Sequence, residues 1–362
     1  MTTLPPPDNT LLYRSIPKVE LHIHLNGACQ LETLITIARE RKMLLPFNSV
    51  EEFSKLVSLS KPQQSLTDFL KPLKTVLDII GGSCKALEMV AYDFMKTRHE
   101  AGVLYAELRF NPVVLTHSEL ATDKVALTCD EVMDAVICGL DKGRKEFGVE
   151  FNVIIGILFW APEQSAEMVE LALRYHDKGV VGIDMAGGET YPIHQLHIDG
   201  FKKAKESGLH ITVHAGEAGP AENIKRAIEV LGAERIGHGY NIVEDEMIYE
   251  AAKKCNIHFE VCPFSSIYTG CQTLGKPHAI QRFSDDEVNF SISSDDPCLM
   301  KKTLIDDYVM ASDVLGLDYK QIKQSVLNGV DAAFLSDDRR TLLKEKVMQK
   351  FTEVEKQYNI NT

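Results

Sequence analysis

No apolar run in the chain approaches the roughly 18–20 residues that a membrane-spanning helix needs. The first residues, Met1-Thr2-Thr3-Leu4-Pro5-Pro6-Pro7-Asp8, hold neither a basic stretch nor an apolar one, so a secretory leader is not expected. There is no Cys-x-x-Cys pair. The eight cysteines (Cys29, Cys84, Cys129, Cys138, Cys255, Cys262, Cys271 and Cys298) are scattered. They read as reduced thiols of a cytoplasmic protein rather than a disulfide framework or a thiolate metal site. Positive charge is in deficit: 39 Lys and Arg stand against 52 Asp and Glu, a net charge of −13. That balance argues against nucleic acid as a partner and favours a neutral or weakly charged small molecule.

What is present is an ordinary globular balance, 44% hydrophobic and 25% charged, over 362 residues. Apolar runs fall at 18–25, 103–110, 151–158, 179–185, 209–214, 233–237, 257–262 and 288–294. From the third onward they recur roughly every 24–31 residues, the length of a strand, a helix and two short loops. The stretches between them, such as Ala166–Tyr175 and Ala221–Leu231, have helical periodicity. Eight strands separated by helices predict an α/β fold, a (β/α)8 TIM barrel, with residues 1–362 as a single domain. Residues 29–102 are too long for one barrel helix. They carry helical patterns at Leu31–Arg41, Ser65–Ile80 and Cys84–Ala101, and predict a helical insertion after the first strand, over the barrel mouth. Residues 1–14 read as an extended leader, and 303–358 as helix-rich. The oligomeric state is not given; a monomer is the working expectation.

Catalytic groups in this fold stand at the C-terminal ends of the strands, and polar residues gather there. His22 and His24 end the first run two residues apart, so they project to one side. His214 ends the fifth run, His238 sits between Gly237 and Gly239 after the sixth, and Asp295-Asp296 end the eighth. Imidazole and carboxylate suit zinc. Three histidines and an aspartate could close a site with an open water position, one of the two adjacent aspartates binding metal while the other faces substrate. The fourth run, Val180-Val181-Gly182-Ile183-Asp184, contains no lysine to bridge two ions, so one metal ion is expected. Glu217, three residues past His214, could donate a proton if burial raises its pKa. His238 could orient a water or stabilise charge as it attacks. His210, four residues before His214 on the same face, is read as structural.

The segments Lys18–Leu25, His214-Ala215-Gly216-Glu217, Arg235–Tyr240, Phe259–Pro263 and Ser294-Asp295-Asp296-Pro297 together closely resemble the adenosine deaminase family of the amidohydrolase superfamily, over about residues 16 to 350. The resemblance implies one Zn2+ held by His22, His24, His214 and Asp295, and hydrolytic attack of water at C6 of a purine nucleoside. Glu217 would protonate N1, His238 and Asp295 would position the water, Asp296 would meet N7, and the Gly187 N–H would meet N3. The substrate-facing set is then His24, Asn26, Gly187 and Asp296. Adenosine and 2′-deoxyadenosine are the implied substrates, and inosine is the product from adenosine. One departure stands out: the family usually has Asp where this chain has Asn26, a step shared with N6-methyl-AMP deaminases, which are the alternative reading. Phe69 and Leu70 are expected against the purine.

Overall fold

The computed structural model describes residues 9–44, 47, 49–122 and 126–360. Eight strands run in chain order around one sheet: β1 (Lys18–His24), β2 (Val103–Phe110), β3 (Glu150–Leu158), β4 (Val180–Ala186), β5 (His210–Ala215), β6 (Arg235–His238), β7 (His258–Val261) and β8 (Phe290–Ile292). Each pairs in parallel with the next. Helices cover the outer face, so runs such as Val153-Ile154-Ile155 are buried on both sides, as a parallel sheet requires.

The last strands are shorter than the apolar runs that predict them. β7 stops at Val261 because Pro263 opens the helix Pro263–Tyr268. β8 stops at Ile292, and the residues after it join the first strand instead. The His24 N–H donates to the Asp295 carbonyl (3.1 Å), and the Asp295 N–H donates to the His22 carbonyl (3.1 Å). Ser293 Oγ accepts from the Leu21 and His22 amides at 3.3 and 3.1 Å. These bonds bring β8 back to β1, and they do so at the predicted metal ligands.

The interior beneath the strand ends holds charges in pairs. Arg109 donates to Glu260 Oε2 at 2.7 Å and Asp184 Oδ2 at 3.2 Å. Arg235 donates to Glu260 Oε1 at 2.8 Å and Glu107 Oε2 at 2.5 Å. Arg98 pairs with Glu20, which also accepts from the Ser294 amide (3.0 Å) and hydroxyl (2.6 Å). All seven side chains are buried.

Between β1 and β2 lie helices Leu31–Glu40, Val50–Val57, Leu66–Phe69, Lys71–Ile80 and Cys84–Glu100. Ser49, Ser65 and Ser83 cap three of them by accepting from the amide three residues on. Cys84–Glu100 packs against β2 and the helix Cys129–Phe147 as an outer barrel helix, so the additional helices span Leu31 to Ile80 rather than all of 29–102. The expected single helix Ser65–Ile80 is broken at Leu70. Pro72 lacks the N–H that would continue the ladder, and Leu73 N–H turns back to the Leu70 carbonyl (3.1 Å).

The expectation of an extended leader is corrected over its described part. Asn9–Ser15 is a helix with Leu12 and Tyr13 buried, packed on the helix Leu304–Asp313; residues 1–8 of that expectation lie outside the described residues. At seven residues the helix is too short to show a 3.6-residue period beside the proline tract. The C-terminal part is helical as expected, with Leu304–Asp313, Tyr319–Ala332 and Asp337–Tyr358. Among the described residues no helix is long and apolar enough to cross a membrane.

Candidate active site

The strand ends bring the predicted residues into one pocket. His24, Asn26, Gly187, His214, Glu217, His238, Asp295 and Asp296 all line it. Leu66, Phe69, Leu70, Leu73 and Leu77 from the added helices form an apolar wall, with Trp160 from the loop after β3. Its apolar lining around a few convergent polar groups matches a small-molecule site.

His22 and His24 leave β1 on the same side, as the period of two predicts. The donor atoms of His22, His24, His214 and Asp295 lie within 4.8 Å of one another, a spacing that one ion could fill. Asp295 Oδ1 is 3.2 Å from His22 Nε2 and 3.3 Å from His24 Nε2; His24 and His214 face each other at 3.2 Å between Nε2 atoms. The far sides of two rings are occupied. His22 Nδ1 donates to Glu260 Oε2 at 2.7 Å, and His214 Nδ1 donates to Asp184 at 3.0 Å. A proton on each Nδ1 leaves the Nε2 lone pairs aimed at one point beside a carboxylate. His22 Nε2 is buried there without a hydrogen-bond partner. A cation is what this donor set lacks, so the residues fit a metal ion.

Cys262 joins His22, His238 and Asp295 in an overlapping group. Burial pushes its thiol well above the ordinary range. Both groups share His22 and Asp295.

Strain marks two of these residues. Asp295 has φ 61° and His238 has φ 65°, a left-handed region that residues with a Cβ seldom adopt. At Asp295 the conformation follows the two closing bonds to β1, and Ser265 Oγ holds Oδ2 at 2.7 Å. At His238 it brings Nε2 to 4.0 Å from Asp295 Oδ2 and 3.7 Å from Glu217 Oε2. Burial, with the His22 ring beside it, holds the His238 pKa well below the usual histidine value, leaving a neutral imidazole. Its Nδ1 has no partner.

Glu217 follows β5 across Gly216, whose φ is +71°. It is buried, and Oε1 has no partner. Burial first, then the carboxylates of Asp295 and Glu189, push its pKa well above the ordinary range. That shift favours the neutral carboxylic acid, the form that can donate. Asp296 is raised by the same two kinds of cause, burial and then Asp295, and its Oδ1 also lacks a partner. Gly27 makes room for it: a Cβ there would stand 1.7 Å from Asp296 Oδ1. Gly187 has φ +95° and lies against the Trp160 ring, where a Cβ would come within 2.1 Å.

His210 is structural, as expected, but near the surface: its ring stacks on Phe334 at 4.3 Å and Nδ1 meets Glu234 at 2.9 Å. Sequence reasoning gave no role to Glu260, Asp184, Arg109, Ser265 or Glu189. A signal existed for Glu260 and Asp184, each a carboxylate inside an apolar strand. Ser265 and Glu189 act across the fold and have no local signature.

The family model for adenosine deaminase matches residues 17–350. An adenosine deaminase of Rattus norvegicus is 38% identical over 345 residues, covering 92% of this chain and 97% of that protein. One from Clostridium perfringens (strain SM101 / Type A) is 32% identical over 335 residues, covering 92% and 98%. Among solved structures, a zinc-bound amidohydrolase from Burkhoderia ambifaria superposes with a TM-score of 0.86 at 21% identity, over 99% of this chain and 97% of that one. An arabidopsis N6-mAMP deaminase superposes with a TM-score of 0.79 at 23% identity, over 93% and 99%. These structural likenesses carry the barrel fold; the match along nearly the whole sequence carries more, and by it the chain belongs to the adenosine deaminase family.

Proposed function

We propose that the chain hydrolyses adenosine, and 2′-deoxyadenosine, to the 6-oxo nucleoside and ammonia. The observation that carries this reading is the pairing of a buried, protonated Glu217 with a four-donor metal set across one pocket. His22, His24, His214 and Asp295 would hold one zinc ion, which when bound supplies Lewis-acid activation of a water. Glu217 donates its proton to N1 of the ring, lowering the cost of adding water at C6. Neutral His238 and the Asp295 carboxylate orient that water and can accept its proton. Asp296, held as the acid, donates to N7, and the Gly187 N–H faces N3. The apolar wall of Leu66, Phe69 and Leu70 covers the purine and excludes bulk water.

The lining also speaks to the ribose end. Among the described residues the only Lys or Arg in the pocket wall is Arg109, which is engaged with Glu260 and Asp184. A 5′-phosphate would find no free cation there. Asn26 replaces the usual carboxylate and can hydrogen-bond a 5′-hydroxyl without charge. The test is an ultraviolet time course of the zinc-loaded protein with adenosine, AMP and N6-methyl-AMP in parallel. Conversion of adenosine alone supports the nucleoside reading. Turnover of the nucleotides alone makes Asn26 the residue that admits phosphate and transfers the reading to the N6-methyl-AMP deaminases.

A further inference from the structure

Glu189 lies in the loop that leaves β4 through Gly187 and Gly188, and its side chain turns inward to the loop after β5. There its carboxylate accepts from four successive main-chain amides: Gly216, Glu217 (3.1 Å), Ala218 (2.8 Å) and Gly219 (2.9 Å). Asn223 Nδ2 adds a fifth donor at 3.2 Å and also meets the Glu189 carbonyl at 3.3 Å. The group is buried. The fit is close, since a Cβ on Gly219 would stand 2.8 Å from Glu189 Oε1 and 2.2 Å from Asn223 Nδ2. Four amides in a row turned toward one point make a concave nest for an anion, and the chain fills it with its own carboxylate.

That loop carries the proton donor. In the Glu217 carboxyl Oε1 is unpartnered and Oε2 is 3.7 Å from His238 Nε2, with Thr269 and Cys271 as the side chains in hydrogen-bond reach. Its aim therefore also depends on its backbone, which Glu189 holds from the amide side and Asn241 from the carbonyl side, Asn241 Nδ2 donating to the Glu217 and Gly219 carbonyls at 3.1 and 2.8 Å. The same residue belongs to the loop whose Gly187 lines the pocket, so one carboxylate joins the N1-facing and N3-facing loops. We propose that Glu189 is a positioning residue for proton donation, clamping residues 216–219 so that Glu217 meets the ring nitrogen in register with Gly187. This rests on the deaminase reading above. A secondary effect has the same direction, because the Glu189 charge helps keep Glu217 protonated.

The experiment is a double-mutant cycle on the zinc-loaded full chain, with amide hydrogen exchange as a readout independent of activity. Glu189→Gln keeps the shape but turns an amide N–H2 toward main-chain donors. Loss of aim without loss of binding should lower kcat about 100-fold, leave KM within about threefold, and leave metal content unchanged. In a Glu217→Gln background the same change should cost less than about threefold, because no proton remains to be aimed. Exchange at 216–219 should rise at least about tenfold above the parent while the strands stay protected. A penalty equal in both backgrounds overturns the proposal in favour of general support, and an unchanged kcat overturns it outright. Should Glu189→Gln fail to fold, Glu189→Asp, shorter by one methylene, carries the same cycle. If the parent does not deaminate adenosine, the deaminase reading fails while the exchange result still decides whether Glu189 clamps the loop.

Discussion

Two layers of the barrel use the same residue types in opposite ways. In the lower layer every carboxylate oxygen of Glu20, Glu107, Asp184 and Glu260 has a hydrogen-bond or ion-pair partner. In the upper layer His22 Nε2, Glu217 Oε1, His238 Nδ1 and Asp296 Oδ1 are buried with none. Unpaired buried polar atoms are costly, and Glu217, His238 and Asp296 line one pocket, with His22 in the candidate metal group beside it. The paired layer holds ionised groups and supports the histidine rings above it; the unpaired layer carries the groups proposed to meet metal and substrate. Glu260 shows the contrast with Glu217 most clearly. Burial would raise both, but Arg109 and Arg235 hold Glu260 well below the ordinary range, while Glu217 has no cation beside it and is driven up.

The strongest way to break this contrast is to remove the acid alone. Glu217→Gln should reduce kcat by about 10⁴-fold while zinc content and the urea midpoint stay at the parent value. A loss of stability on that scale would place Glu217 in the structural layer. The reverse experiment is Arg109→Met, which strands Glu260 and Asp184 without their shared cation. It should cost about 3–5 kcal/mol of stability and weaken zinc binding, read by urea unfolding and chelator competition. A stable, zinc-tight variant would show that the lower layer does not support the upper.

A smaller effect comes from a histidine that belongs to neither layer's chemistry. His258 begins β7, with its ring bound by Asn289 (2.8 Å) and Ser291 (2.9 Å). Burial lowers its pKa to about 4. The unfolded chain therefore takes up a proton near pH 6.5 that the folded chain refuses until about 4. Stability from this group is present above pH 6.5 and is lost as pH falls toward 4. Between pH 7 and 5 the loss is about 2 kcal/mol. Urea titrations of parent and His258→Gln should differ by that slope; equal slopes would contradict the assignment. The smallest effect is expected at the pocket rim. Trp160 is 48% exposed and lies against Gly187. Trp160→Ala should raise KM for adenosine about three- to tenfold with kcat nearly unchanged. A fall in kcat instead would move this ring from the rim into the reacting layer.

The residues legible from sequence share a property: each ends an apolar run, so strand periodicity places it. That is why His22, His24, His214, His238 and Asp295 could be grouped before any coordinates. Long-range partners were not legible. Nothing near Glu189 announces that its carboxylate serves amides 27 to 30 positions later. Ser265 gives no sign of meeting Asp295, 30 positions away. Register was equally hidden, because pairing between the first and last strands depends on how six intervening strands twist. The break at Leu70 was readable from Pro72 but masked by strong helical periodicity on either side.

The junction between β8 and β1 has a consequence for how the protein is made. His22, His24 and His214 are all synthesised before Asp295, whose main-chain bonds to His22 and His24 complete the ring. On the proposed ligand set, a nascent chain would lack its fourth metal donor until the last strand had emerged and docked, so tight metal capture would report on a finished barrel rather than guide an unfinished one.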